Sequence, residues 1–276
     1  MTNMQMNINE EACLPHKHIS LLGKEIYLYR EVSSTNSIAR HMALSGAPEG
    51  TLVMSKYQTA GKGRGRMKRQ WMCPPSKGLL MSMILRPEIS VQFVPQLTLL
   101  SAVVVAETIR KITGCAAGIK WPNDILIGGK KVCGILAESS FSKSGPEYVI
   151  IGIGINVNLD RPDLPADCLE TSTSLKLELG QRVSRLSLLK QFICTWEEHY
   201  QGFLTGGHSY LRHHWIRNNV TLRRSVTLNK DQESISGQAV DISAHGGLMV
   251  KLSDGSIQEF LAGDVSLGRN YYGSDN

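Results

Sequence analysis

KWPNDILIGGKKVCGILAE, Lys120 to Glu138, decides how the rest of the chain folds. Short apolar runs are separated first by Pro122-Asn123 and then by Gly128-Gly129, a pattern that reads strand, turn, strand, turn, strand. The first turn sets an indole, an amide and a carboxylate (Trp121, Asn123, Asp124) at a strand end, where ligands commonly sit. Lys120 precedes that turn and Lys131 follows the next strand, so two ammonium groups can converge on one side. A second reading stands beside this one: a tight turn whose Asn and Asp merely bond their own backbone.

Downstream, EYVIIGIGINVN (147–158) continues as an apolar strand, interrupted by Gly152 and Gly154. Such glycines mark either a bulge or the close approach of a ligand or another backbone. RPDLPADCLETSTS reads as loop, and two helices follow, Ser184–Leu204 and HSYLRHHWI. From about Asn219 the texture changes to short alternating strands with hairpin turns at HGG and Asp254-Gly255. That predicts a small β-barrel of roughly fifty residues. Upstream, QLTLLSAVVVAETIRKITG (96–114) has the broad apolar face and terminal glycine of a buried helix. GLLMSMILRP is a strand ended by Pro87. KEIYLYREV and GTLVMSKYQ are strands bracketing SSTNSIARHMALSG, a helix that begins on good N-cap residues and stops at Gly46. The expected division is a tail over 1–22, a main domain over 23–218 and a C-terminal domain over 219–270.

QTAGKGRGRMKRQW (58–71) packs five cations and three glycines into a run that cannot bury itself. Glycines let backbone N–H groups approach an anion, and Arg offers a fork of donors matched to phosphate or carboxylate oxygens. A solvated surface loop is the plainer reading of a charge run, and a short RNA-binding segment is another. The run is not a P-loop, and GIGINVN lacks the third glycine of a dinucleotide fingerprint. SSTN at a helix start offers hydroxyls, an amide and free N–H groups to a polar ligand, or simply caps its own helix.

Composition bounds the rest. The chain has 276 residues, 42% hydrophobic, with a formal net charge of +6, which favours anionic ligands without choosing among them. Six scattered cysteines form no CxxC and read as reduced thiols of a cytoplasmic protein, without an evident base partner for thiol catalysis. The histidines show no ligand spacing, and His213-His214 read as surface residues. No run reads as a membrane span, and the N-terminus lacks a signal-peptide pattern.

In this order, SSTNSIA, QTAGKGRGRMKRQW, KWPNDILIGGKKVCGILAE, GIGINVN and AGDVSL resemble the biotin–protein ligases of the bacterial BirA type, over roughly Ile26 to Leu267. The resemblance implies an α+β fold. Its core is a mixed β-sheet flanked by helices, similar to class II aminoacyl-tRNA synthetases, and an SH3-like β-barrel follows. It implies ATP-dependent joining of biotin to AMP, then transfer of biotin to one lysine of a biotin carboxyl carrier protein, with Mg²⁺ serving the phosphates. Ser34, Thr35, Asn36, Gln58, Lys62, Gly63, Arg64, Lys131, Gly152 and Gly154 correspond to biotin-side positions. Arg66, Arg69, Trp71, Lys120, Asn123, Asp124 and Asn156 correspond to the adenylate side. Lys131 and Arg64 are the expected catalytic residues, and Asp124 the expected metal ligand.

The basic run is about two residues longer than the family's pattern, and Arg64 belongs to both alignments of it. Gly268 stands where the family carries an arginine near the C-terminus, so a nucleotide contact from that domain is not expected. About twenty residues precede the first strand, too few for a winged helix of three helices averaging ~11 residues, so no DNA binding is expected. A homodimer through an open sheet edge is compatible with the sequence. The alternatives are a lipoate–protein ligase, against which KWPND and the GKGR run argue, and a nucleic-acid-binding regulator.

Overall fold

The computed structural model describes residues 4–5, 21–64, 70–143, 145–230 and 233–270. Among the described residues, eight strands form the main sheet: β1 (Met4–Gln5), β2 (Ile26–Tyr29), β3 (Leu52–Ser55), β4 (Gly78–Leu85), β5 (Gly118–Lys120), β6 (Asp124–Ile127), β7 (Lys130–Ser142) and β8 (Gly145–Asn156). Their order is β1-β2-β3-β4-β8-β7-β6-β5. Only β2 and β3 pair in parallel, joined across helix α1 (Thr35–Leu44); the other neighbours are antiparallel, so the sheet is mixed. Two residues of the segment read as a tail, Met4 and Gln5, pair with Leu28 and Tyr27.

The two faces of the sheet are covered unequally, and this creates the site. Side chains alternate across a strand. On β4, Leu79, Met81, Met83 and Leu85, and on β8, Val149, Ile151, Ile153 and Ile155, join one large core. Helices α2 (Pro95–Thr113) and α4 (Arg185–Asn218) pack into that core. On the opposite face α1 covers only Val53, Ile84, Tyr148 and Ile150. The next positions along that face of β8 are Gly152, under Asn36 in the first turn of the helix, and then Gly154 and Asn156. The segment Val91–Thr113 holds an 18-residue stretch with the mean hydropathy (1.4) of a membrane span, contrary to the expectation from sequence, but 72% of that stretch is buried as the central core helix.

A short helix, α3 (Leu175–Leu179), directly follows the segment read as loop, whose last residue, Ser174, is its N-cap. The two helices expected near the end of the main domain form one element, α4, broken at Gly207 (φ 55°, ψ −141°). The remaining strands, β9 (Arg224–Lys230), β10 (Glu233–Ile242), β11 (Leu248–Lys251), β12 (Ile257–Phe260) and β13 (Asp264–Asn270), make an antiparallel sheet ordered β12-β11-β10-β9-β13. The sheet is bent by irregularities in β10 and β13.

Trp121 ties the two sheets together. Its ring is 1% exposed, its Nε1–H donates to Gly246 O (3.0 Å), and its backbone N–H donates to Thr221 Oγ1 (2.9 Å). Trp121→Phe removes the indole donor and leaves a buried carbonyl unpaired, which should cost about 1–3 kcal/mol. Urea unfolding would register this as a lower midpoint, and an unchanged midpoint would show that the bond does not matter.

Candidate active site

The uncovered part of the sheet opens into a cavity of about 870 Å³, a size suited to a small organic ligand. Every site residue singled out in the sequence lines it, except Arg66 and Arg69, which lie outside the described residues.

Its floor is bare backbone. Gly134 and Gly154 face each other across β7 and β8, and Gly152 follows two places along. The indole of Trp71 lies over the first two: a Cβ on Gly154 would sit 2.6 Å from the ring, and one on Gly134 would sit 2.9 Å from it. A Cβ on Gly152 would fall 2.0 Å from Asn36 Oδ1. Close approach, not a bulge, therefore explains both β8 glycines.

One wall is the start of α1. Ser34 takes the N-cap position but makes no capping bond with its side chain. Instead Gln58 Oε1 accepts from Thr35 N–H (2.7 Å) and from its hydroxyl (3.1 Å). A bridge between Val32 and Gln58 holds the two segments side by side. The Ser82 hydroxyl lies 2.7 Å from both Thr35 Oγ1 and Asn36 Oδ1, and Asn36 Nδ2 donates to Glu138 Oε2 (2.8 Å). Lys62 Nζ reaches Glu138 Oε1 at 3.1 Å. A polar chain thus runs from a helix terminus to the glycine-rich segment. Ser34, Thr35 and Asn36 are each 3% exposed, so the network is rigid. The Lys62–Glu138 pair at its end is solvent-exposed and weak.

The opposite wall depends on a bulge. Ile125 pairs with Cys133, but Leu126 pairs with Lys131, so Val132 is an extra residue in β7. Alternation counted from Gly134 would send Val132 to the cavity and Lys131 into the core. The bulge reverses this: Val132 is fully buried in the core, and Lys131 lines the cavity. The disturbed backbone is satisfied by the neighbouring loop. Lys131 N–H donates to Thr171 O (2.7 Å), and its carbonyl accepts from Thr173 N–H (2.9 Å). Lys131 Nζ sits 2.6 Å from Asp124 Oδ1 and 5.7 Å from the centre of the Trp71 ring. Asn123, next to Asp124, donates from Nδ2 to Ile135 O (2.7 Å), which locks the turn.

The glycine-rich segment closes the cavity from above. Lys62 and Gln70 bridge antiparallel, and Trp71 N–H donates to Gly61 O (2.9 Å). Arg64 reaches Gly263 O at 3.5 Å. Burial lowers its pKa, while the charges of Asp264 and Asp124 oppose that shift. Among buried polar atoms, Trp71 Nε1 and Asn156 Oδ1 have no partner within the described chain, and both residues line the cavity. Burial pushes the Cys73 thiol up to about 11 and raises Cys133 as well, so neither offers a thiolate.

Several lining or supporting residues escaped the sequence reading. Ser82 had a visible signal, a lone hydroxyl in an otherwise apolar strand. Glu138 and Thr171–Thr173 had none. Asp264, Ser266 and Leu267 of β13 also line the cavity, although the glycine at 268 argued against a contribution from that domain.

A cavity lined by Lys62, Arg64, Lys120 and Lys131 on a mixed sheet, with a second small sheet at its rim, defines a class, and comparison with known proteins gives it a name. Residues 27–156 match the Biotin/lipoate A/B protein ligase family, and residues 221–268 match the Biotin protein ligase C terminal domain. The "Bifunctional ligase/repressor BirA" of Bacillus subtilis is 37% identical over 248 residues, covering 90% of this chain and 75% of that protein. The "Biotin--[acetyl-CoA-carboxylase] ligase" of Paracoccus denitrificans is 31% identical, covering 79% and 90%. A solved biotin protein ligase from Aquifex aeolicus, in complex with biotin and ATP, superposes with a TM-score of 0.74 at 29% identity, covering 89% of this chain and 99% of that one. The chain belongs to the biotin protein ligase family.

Proposed function

We propose that this chain activates biotin as biotinyl-5′-AMP and then passes it to a lysine of a biotin carboxyl carrier protein. The observation that carries the reading is the bulge that turns Lys131 into the cavity, beside Asp124 and against Trp71. In the first step a biotin carboxylate oxygen attacks the α-phosphorus of ATP and pyrophosphate leaves. Two anions must meet, and charge grows on the phosphate oxygens. Orientation and fixed cations then supply the rate. Lys131 is the ammonium placed for both the carboxylate and the α-phosphate. In the second step the carrier amine attacks the carbonyl and AMP departs.

Ser34, Thr35, Asn36 and Gln58 form the polar end of the biotin pocket, with Gly152 and Gly154 as its floor. Lys62, Gly63 and Arg64 cover it. Trp71, Lys120, Asn123, Asp124 and Asn156 serve the adenylate; Trp71 Nε1 and Asn156 Oδ1 are buried groups suited to bond it. Mg²⁺ enters with ATP as substrate. Asp124 is a hard oxygen donor in the cavity, consistent with an ion held by one carboxylate plus phosphates. The C-terminal sheet, bent at its bulges, is an SH3-like barrel in this reading. It begins near Asn219 and brings Asp264 and Ser266 to the rim.

Incubation with biotin, MgATP and a carrier domain should add one biotinyl group to the carrier by mass. A gain with lipoate but none with biotin would overturn the assignment. Arg64→Ala should release biotinyl-AMP at least about tenfold faster, since hydrogen bonds to a charged group contribute ~1.5–3 kcal/mol. Unchanged retention in a filter assay would remove Arg64 from this role.

A further inference from the structure

Away from the cavity, Glu107 on α2 and His199 and His214 on α4 point their donor atoms at one spot. The three donors lie within 4.8 Å of one another. His199 Nε2 is 3.0 Å from Glu107 Oε2, and His214 Nδ1 is 3.8 Å from Glu107 Oε1. None of the three lines the cavity. His214, read from sequence as a surface residue, is turned inward against Tyr210, with ring centroids 4.4 Å apart.

The break in α4 makes this cluster. His199 and His214 are fifteen positions apart, about 22 Å along a straight helix. The bend at Gly207 brings their ring centroids to 4.7 Å. We propose that Glu107, His199 and His214 bind one divalent transition-metal ion of the zinc type, which clamps both halves of α4 to α2.

The chemistry fits in three ways. Zinc bonds of ~2.0–2.2 Å in a tetrahedron place donor atoms about 3.3 Å apart, close to the 3.0 Å between His199 Nε2 and Glu107 Oε2 and within the 4.8 Å that spans all three donors. Supporting groups already hold the donors: the Tyr210 hydroxyl is 3.1 Å from His199 Nδ1, and Asn218 Nδ2 donates to Glu107 Oε1 (3.1 Å). When zinc takes His199 Nε2, the ring proton resides on Nδ1 and donates to the Tyr210 oxygen, a usual second contact of a metal-bound imidazole. The side chains of Glu107 and His214 are 23% and 27% exposed, so an ion can enter and solvent can complete the tetrahedron. Arg110, Lys111, Arg217 and His213 lie nearby and moderate the affinity.

Full-length protein stripped with chelator and titrated with zinc chloride should bind one ion per chain by calorimetry and melt at a higher temperature. His214→Ala should weaken zinc at least tenfold and abolish the visible cobalt(II) bands seen in the parent protein, while carrier biotinylation is retained. Tyr210→Phe should weaken zinc about tenfold, and His213→Ala, which removes a neighbour and not a ligand, should change the affinity far less than either. Equal zinc affinity in the parent and His214→Ala, or no stoichiometric binding by the folded parent, overturns the proposal.

Discussion

Lys131→Ala is expected to lower biotin-dependent pyrophosphate release by about 10²–10³-fold, the usual cost of removing a fixed group that stabilises developing charge. The fold should survive. Val132, not Lys131, fills the core at the bulge, and the Lys131 backbone is held by Thr171 and Thr173 whatever its side chain. The substitution also leaves Asp124 without its 2.6 Å partner in a cavity meant for anions, which further disfavours ATP. The loss should therefore fall on both nucleotide binding and the chemical step. Lys131→Arg should recover little, because a planar fork is not a compact ammonium. Normal pyrophosphate release from a folded Lys131→Ala protein would refute the role.

Gly152→Ala is expected to be nearly as damaging by a different route. Its methyl would meet Asn36 Oδ1 at 2.0 Å. Asn36 cannot retreat, because its amide is bonded to Ser82 and Glu138 and the residue is 3% exposed. Overpacking of this kind costs ~1–3 kcal/mol, and the displaced Asn36 disrupts the wall assigned to biotin. A lower melting temperature together with at least about tenfold weaker biotin binding is the predicted pair. Unaltered biotin affinity would separate that wall from the vitamin.

The fold was largely legible because burial leaves a plain trace. Strands β4 and β8, covered on the core side from end to end, read as continuous apolar runs, and α2 reads as a broad apolar face with a glycine stop. What the sequence concealed was non-local. Gln58 was placed by its position before the basic run, but nothing in the chain says that it caps α1 in place of Ser34. The bulge at Val132 was invisible because strict alternation sends Lys131 to the wrong side; its place after the Gly-Gly turn and the family resemblance, not periodicity, picked that lysine. The bend at Gly207, which joins His199 to His214, looked like an ordinary gap between two helices. The rim contributed by β13 was missed because a single Gly268 outweighed its neighbours in the reading.

The extra residue in β7 also limits how this protein can change. The aim of the lysine is set by backbone count rather than by side-chain freedom, so a lysine shifted one place along the strand would emerge on the greasy side of the sheet. Exchanging Lys131 and Val132 would keep every catalytic letter in the chain and still disarm it, because position 132 faces the core. For this lineage, the order of residues through the bulge is therefore as constrained as their identity.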